Sequence, residues 1–104
     1  MYLQVDVSGT PSRVRLEEPE DCARFKLVVR GARDPQRLAT ALDGIGRLAD
    51  GDSTWIQVDA LRHMAAGRVP ESWDESFEKM LAYARKKGWM SGDGTEVRAH
   101  CEWV

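Results

Sequence analysis

Apolar and polar positions alternate from the first residues: Leu3, Val5 and Val7 fall on one face, Tyr2, Gln4 and Asp6 on the other. A period of two is the pattern of a half-buried strand. The cluster Ser8-Gly9-Thr10-Pro11-Ser12 then predicts a turn, and Val14 and Leu16 alternate with Arg13, Arg15 and Glu17. Together these runs predict a β-hairpin. After an acidic loop of Glu17, Glu18, Glu20 and Asp21 around Pro19, Phe25, Leu27 and Val29 alternate with Lys26 and Arg30, a third strand ended by Gly31.

The period then changes. Asp34-Pro35 is a helix start, because aspartate accepts from free first-turn amides and proline suits the first helical position. Leu38, Ala41, Leu42 and Ile45 follow at helical spacing, and Gly44 and Gly46 predict an end near Asp43. Asp50-Gly51-Asp52 reads as a loop. Thr54 with Gln57 matches a capping box, which favours a helix from about Trp55 whose stripe is Ile56, Ala60, Leu61, Met64 and Ala65. The competing reading makes Trp55-Ile56-Gln57 a short strand and lets Asp59 cap a shorter helix. Both end at Gly67, with Pro70 beyond.

Ser72 and Glu75 form a second capping box, ahead of Trp73, Phe77, Met80, Leu81 and Ala84 on one helical face. This stripe is expected to face a sheet, with Ser72 accepting the Glu75 amide. Acids in the first turn and Arg85, Lys86 and Lys87 in the last complement the helix dipole. Trp89-Met90 starts a strand, Ser91-Gly92-Asp93-Gly94 turns it, and Val97, Ala99, Cys101 and Trp103 alternate with Glu96, Arg98, His100 and Glu102. The expectation is a single α+β domain over residues 1–104, with N-terminal antiparallel strands, about three helices and a C-terminal β-hairpin.

Composition narrows the function classes. In 104 residues, 42% hydrophobic and 31% charged, the formal net charge is −2. That apolar share suits a folded core, and the charge gives no bulk attraction to nucleic acid or anionic membrane. The opening MYLQVDVSGT has neither a basic nor an apolar leader segment, so a cytoplasmic setting and reduced thiols at Cys22 and Cys101 are expected.

From about residue 34 the order helix, helix, turn, helix, hairpin resembles a winged helix-turn-helix. The resemblance makes Trp55 to Leu61 the short strand and second helix, Asp74 through Lys87 the recognition helix, and Trp89 to Trp103 the wing. Such a helix would present Glu71, Asp74, Glu75 and Glu78 to phosphates, and the wing tip Ser91 to Glu96 holds no base. The block Trp55…Val58-Asp59-Ala60-Leu61-Arg62…Trp73…Phe77…Met80-Leu81-Ala82-Tyr83-Ala84…Gly88-Trp89…Val97-Arg98-Ala99-His100…Trp103 is similar to a family of small uncharacterised proteins that recurs in actinobacteria. It implies a bacterial protein and assigns no activity to any residue.

No chemistry-bearing motif stands out. GxSxG, HExxH, the P-loop and GxGxxG are missing. His100 and Cys101 point to opposite faces of a strand, so no metal site is expected; Asp50 and Asp52 start a calcium-like loop whose twelfth position is Leu61. No cofactor and no small-molecule substrate are identified. Four tryptophans are many for this length. Trp73 and Trp103 fall on apolar faces, while Trp55 and Trp89 at element edges are candidate anchors for a partner protein.

The expected function is therefore a non-enzymatic, protein-binding interaction module. The alternative is a winged-helix-like nucleic-acid binder with Lys26, Arg30, Arg33 and Arg37, or else Arg85, Lys86 and Lys87, as phosphate contacts. A third surface is the polar face of the sheet, where Arg13, Arg15, Lys26, Arg30, Arg98 and His100 share sides with Asp6, Glu96 and Glu102. Only Tyr2 is expected to offer a stacking ring there, with Phe25 directed the other way.

Overall fold

A computed structural model describes residues 1–50 and 52–104. Gly51, in the loop expected at Asp50 to Asp52, lies outside the described residues. The chain runs β1 (Tyr2–Asp6), β2 (Arg13–Glu17), β3 (Lys26–Arg30), α1 (Pro35–Ala41), β4 (Gly46–Leu48), β5 (Ser53–Gln57), α2 (Val58–Ala65), α3 (Trp73–Lys86) and β6 (Glu96–Trp103). The strands form one mixed sheet in the order β2-β1-β3-β6-β5-β4. β1 pairs antiparallel with β2 and parallel with β3; β6 pairs parallel with β3 and antiparallel with β5; β4 closes the edge antiparallel to β5. This is the α+β domain with three helices that the periodicities predict.

All three helices cover the same side of the sheet. Their apolar residues Leu38, Leu42, Leu61, Ala65, Trp73, Phe77 and Leu81 join Leu3, Val5, Leu27, Val29, Ile56, Val97 and Ala99 in one core. α2 touches β2 at one edge and β5 next to the other, so the sheet curls around it. Arg62 clamps the two longer helices: its guanidinium bonds Asp74 and Glu78 and lies 4.9 Å from the Phe77 ring centroid.

The stretch 55–57 is strand, contrary to the favoured helical reading. Thr54 does not cap; its hydroxyl is buried and donates to the Ala99 carbonyl at 3.3 Å. Ile56 points into the core while Trp55 points away, and β5 is held by partners on both sides, β4 and β6. Two ladders of hydrogen bonds outweigh one cap, which contributes only about 1 kcal/mol.

The caps divide. Asp34 accepts from the amides of Gln36 and Arg37 at 3.0 and 3.3 Å, and Pro35 opens α1 as expected. Ser72 makes no capping hydrogen bond, because its backbone is already helical (φ −64°, ψ −15°), which turns the hydroxyl away from the third amide. The stripe nonetheless faces the sheet, with Trp73, Phe77, Leu81 and Ala84 buried and Met80 at its margin.

The terminal hairpin forms at residues 90–97. Met90 bridges Val97, the Ser91 amide donates to Glu96, and the Arg98 amide donates to the Trp89 carbonyl at 2.7 Å. Its second strand continues into the sheet interior as β6, between β3 and β5.

Candidate binding surface on the uncovered sheet face

Among the described residues every helix lies on one side, and the other face of the sheet has no covering layer. Strand alternation and register place its side chains in rows. Glu17, Tyr2 and Lys26 form one row; Arg15, Gln4, Val28 and Glu102 the next; Arg13, Asp6 and Arg30 a third. Toward the other edge, His100 pairs with Ser53, and Arg98 with Trp55 and then Arg47. The charged residues assigned to this face by alternation do share it.

Several of these charges neutralise one another. Lys26 meets Glu102 at 2.7 Å, and the ammonium holds that carboxyl below its ordinary range. Arg15 meets Glu17 at 3.3 Å. Arg47 reaches over β5 to Glu96 with paired bonds at 3.0 and 3.1 Å, which raises the guanidinium further above its ordinary value. Asp6 is kept below its ordinary value first by the Ser8 hydroxyl and amide, then by Arg30 and Arg13 nearby. Arg98 has no ion pair among the described residues.

The two tryptophan candidates separate. Trp55 is half-buried, with the Arg47 guanidinium 5.7 Å from its ring centroid, so it packs beneath an ion pair. Trp89 is 43% exposed. Its backbone is nevertheless fixed, since its amide donates to Ala84 at the end of α3 and its carbonyl accepts from Arg98 in β6. Its ring meets the exposed Tyr83 edge-on, centroids 5.9 Å apart, and Lys87 lies 5.6 Å from the Tyr83 ring.

Trp89 also walls a hollow of about 300 Å³ with Phe25, Ser53, Arg98 and His100. Phe25 was expected with the core-facing residues of β3. It is half-buried against the core, as expected, but it lies one position before β3 begins, outside the ladder that enforces alternation, and it also lines this hollow. No sequence signal marked that second contact. Arg98 and His100 were legible as face residues, but their meeting with Trp89 depends on the hairpin fold.

The two basic groups lie on different elements, and the first is itself divided. Lys26 and Arg30 lie on the uncovered face, Lys26 already paired. Arg33 bonds Asp52 at 3.1 Å and lies over the Trp103 ring, and Arg37 donates to the Gly9 carbonyl at 3.0 Å. Arg85, Lys86 and Lys87 close α3. The hollow beside α1, about 600 Å³ and wide open, is lined by Asp34, Arg37 and the turn Gly9 to Ser12; its carboxylate already caps the helix.

Both cysteines are free thiols, and burial pushes each above its ordinary value. Among the described residues no three histidine, cysteine or carboxylate side chains converge as a metal site. No helix among them is long and apolar enough to cross a membrane. Comparisons with family models, with curated proteins and with solved structures find no match.

Proposed function

We propose that this protein is a small, non-enzymatic binding module that docks a partner protein on the uncovered face of its sheet, with Trp89 as the anchor. The observation that carries the reading is the contrast between the two edge tryptophans. Trp55 is covered by Arg47, whereas Trp89 stands 43% exposed on a rigid backbone beside Tyr83, Phe25 and Arg98. A large aromatic held in place loses little conformational freedom when a partner covers it, and such residues dominate interface energetics. The reading takes the chain as a bacterial cytoplasmic protein, in keeping with its free thiols.

Nucleic acid is the second reading, favoured by two aromatic rings and a guanidinium in one hollow. Against it stands the dispersal of the basic residues: Lys26, Arg33 and Arg37 already have protein partners, and Arg85 to Lys87 sit at the end of α3. Affinity for a phosphate backbone rests on many cations along one track.

Site-directed photocrosslinking in the host cell tests the proposal. A photoreactive amino acid at position 89 should trap a discrete protein adduct, and the same group at position 79, exposed on α3, should not. Equal labelling from both positions, or none from position 89, would remove the reading.

A further inference from the structure

We infer that the partner segment docking at the Trp89 hollow is acidic, an extended stretch with at least one carboxylate for Arg98 and an apolar side chain for the Phe25–Trp89 walls. The inference rests on the proposed protein-binding role of this face. The hollow combines two aromatic walls with two nitrogen-bearing side chains, Arg98 and His100, and one hydroxyl, Ser53. No carboxylate lines it among the described residues. The nearest acids on the same face are already engaged, Glu96 by Arg47 and Glu102 by Lys26. Outside the hollow, Lys87 lies over the Tyr83 ring that Trp89 meets.

Desolvation then selects the partner. An apolar segment laid over Trp89 also removes water from Arg98, and a guanidinium buried without a counter-charge is strongly unfavourable. A basic segment adds repulsion. A carboxylate restores the lost interactions with charge-assisted hydrogen bonds, for which guanidinium geometry is well matched. One or two carboxylates suffice here, whereas a single-stranded nucleic acid needs cations continuing along its path, and Lys26 in the next row is neutralised by Glu102.

The test is selection of a random dodecapeptide display library against the full chain, with binding of the enriched peptides measured by fluorescence anisotropy. Enriched sequences should carry net negative charge beside an aliphatic or aromatic residue. Trp89→Ala should weaken them about 30-fold, as for an interface hot spot. Arg98→Gln should weaken them roughly 10-fold by loss of one charged partner. Selection against Arg98→Glu should turn toward basic sequences, a gain that an unfolded variant cannot produce.

Peptides that require Trp89 but show no acidic bias would overturn this inference and leave the docking role standing. Peptides indifferent to Trp89→Ala would overturn the docking role itself. Labelled dT20 binding tighter than the best peptide, and displacing it, would overturn the inference in favour of single-stranded nucleic acid.

Discussion

Trp73 and Phe77 stack one helical turn apart at the start of α3, ring centroids 4.6 Å apart and planes 13° from parallel. The Trp73 indole N–H donates at 2.5 Å to the Pro19 carbonyl, so the acidic loop between β2 and β3 is tied to this stack. Phe77 is wholly buried and also carries the Arg62 guanidinium on its face. Phe77→Ala should cost about 3–5 kcal/mol, a large part of the roughly 5–15 kcal/mol a domain of this size has. Urea denaturation should find the variant mostly unfolded or with a much lower midpoint. An unfolding free energy within about 1 kcal/mol of wild type, less than any cavity of that size costs, would show that the stripe does not pack as described.

The two capping positions should behave differently although both carry capping residues. Asp34→Ala removes an acceptor for two amides and should cost about 1 kcal/mol. Ser72→Ala removes no capping hydrogen bond and should change stability by less than about 0.5 kcal/mol, as an exposed substitution does. The same denaturation series checks both; the reverse order of costs would contradict the assigned caps.

Gly46 opens β4 directly against β5. A Cβ there collides with the Trp55 carbonyl oxygen and lies 2.9 Å from Ile56 Cδ1. Backbone cannot step aside as a flexible side chain does, so Gly46→Ala should cost about 1–3 kcal/mol, the usual cost of overpacking. Gly9→Ala, where a Cβ meets nothing within 4 Å, is the control and should leave the midpoint nearly unchanged. Equal midpoints for the two variants would place β4 incorrectly.

Asp93 sets an acid limit on the terminal hairpin. Hydrogen bonds from the Ser91 hydroxyl, then the Thr95 hydroxyl and amide, hold its carboxyl at about 2, below the ordinary 3.8. A carboxyl lowered by folding stabilises the native state above its unfolded value, and that contribution is lost as pH falls from about 3.8 through 2. Asp93→Asn should lack this acid-sensitive component. Stability curves for the two proteins should converge as pH falls through this window; curves that stay parallel would mean the carboxylate is not held in the turn.

Periodicity made most of the layers legible. The alternations around Leu3, Val5, Leu27 and Val29, and the α3 stripe, depend on one face being buried, a local property that a sequence carries. What escaped it depends on partners distant in sequence. Ser53 to Gln57 became strand because β4 and β6 flank it, and Thr54 gave its hydroxyl to Ala99 in place of a cap. β4 itself, three residues beginning with a glycine, carries no readable alternation. The hollow was least legible: it joins Phe25 before β3, Trp89 after α3 and Arg98 and His100 in β6, which only the sheet order β3-β6-β5 brings together.

The proposed docking role puts the partner on the uncovered face around Trp89 and not on the helical layer. Nuclear magnetic resonance of the isotope-labelled protein, titrated with the best display-selected dodecapeptide, tests it most directly. The largest shifts should fall on the Trp89 indole N–H and on the amides of Phe25, Ser53, Arg98 and His100, with smaller ones at Tyr83 and the outer surfaces of α1, α2 and the first turns of α3 unmoved. Shifts centred on the helices, with the Trp89 indole unchanged, would contradict the account.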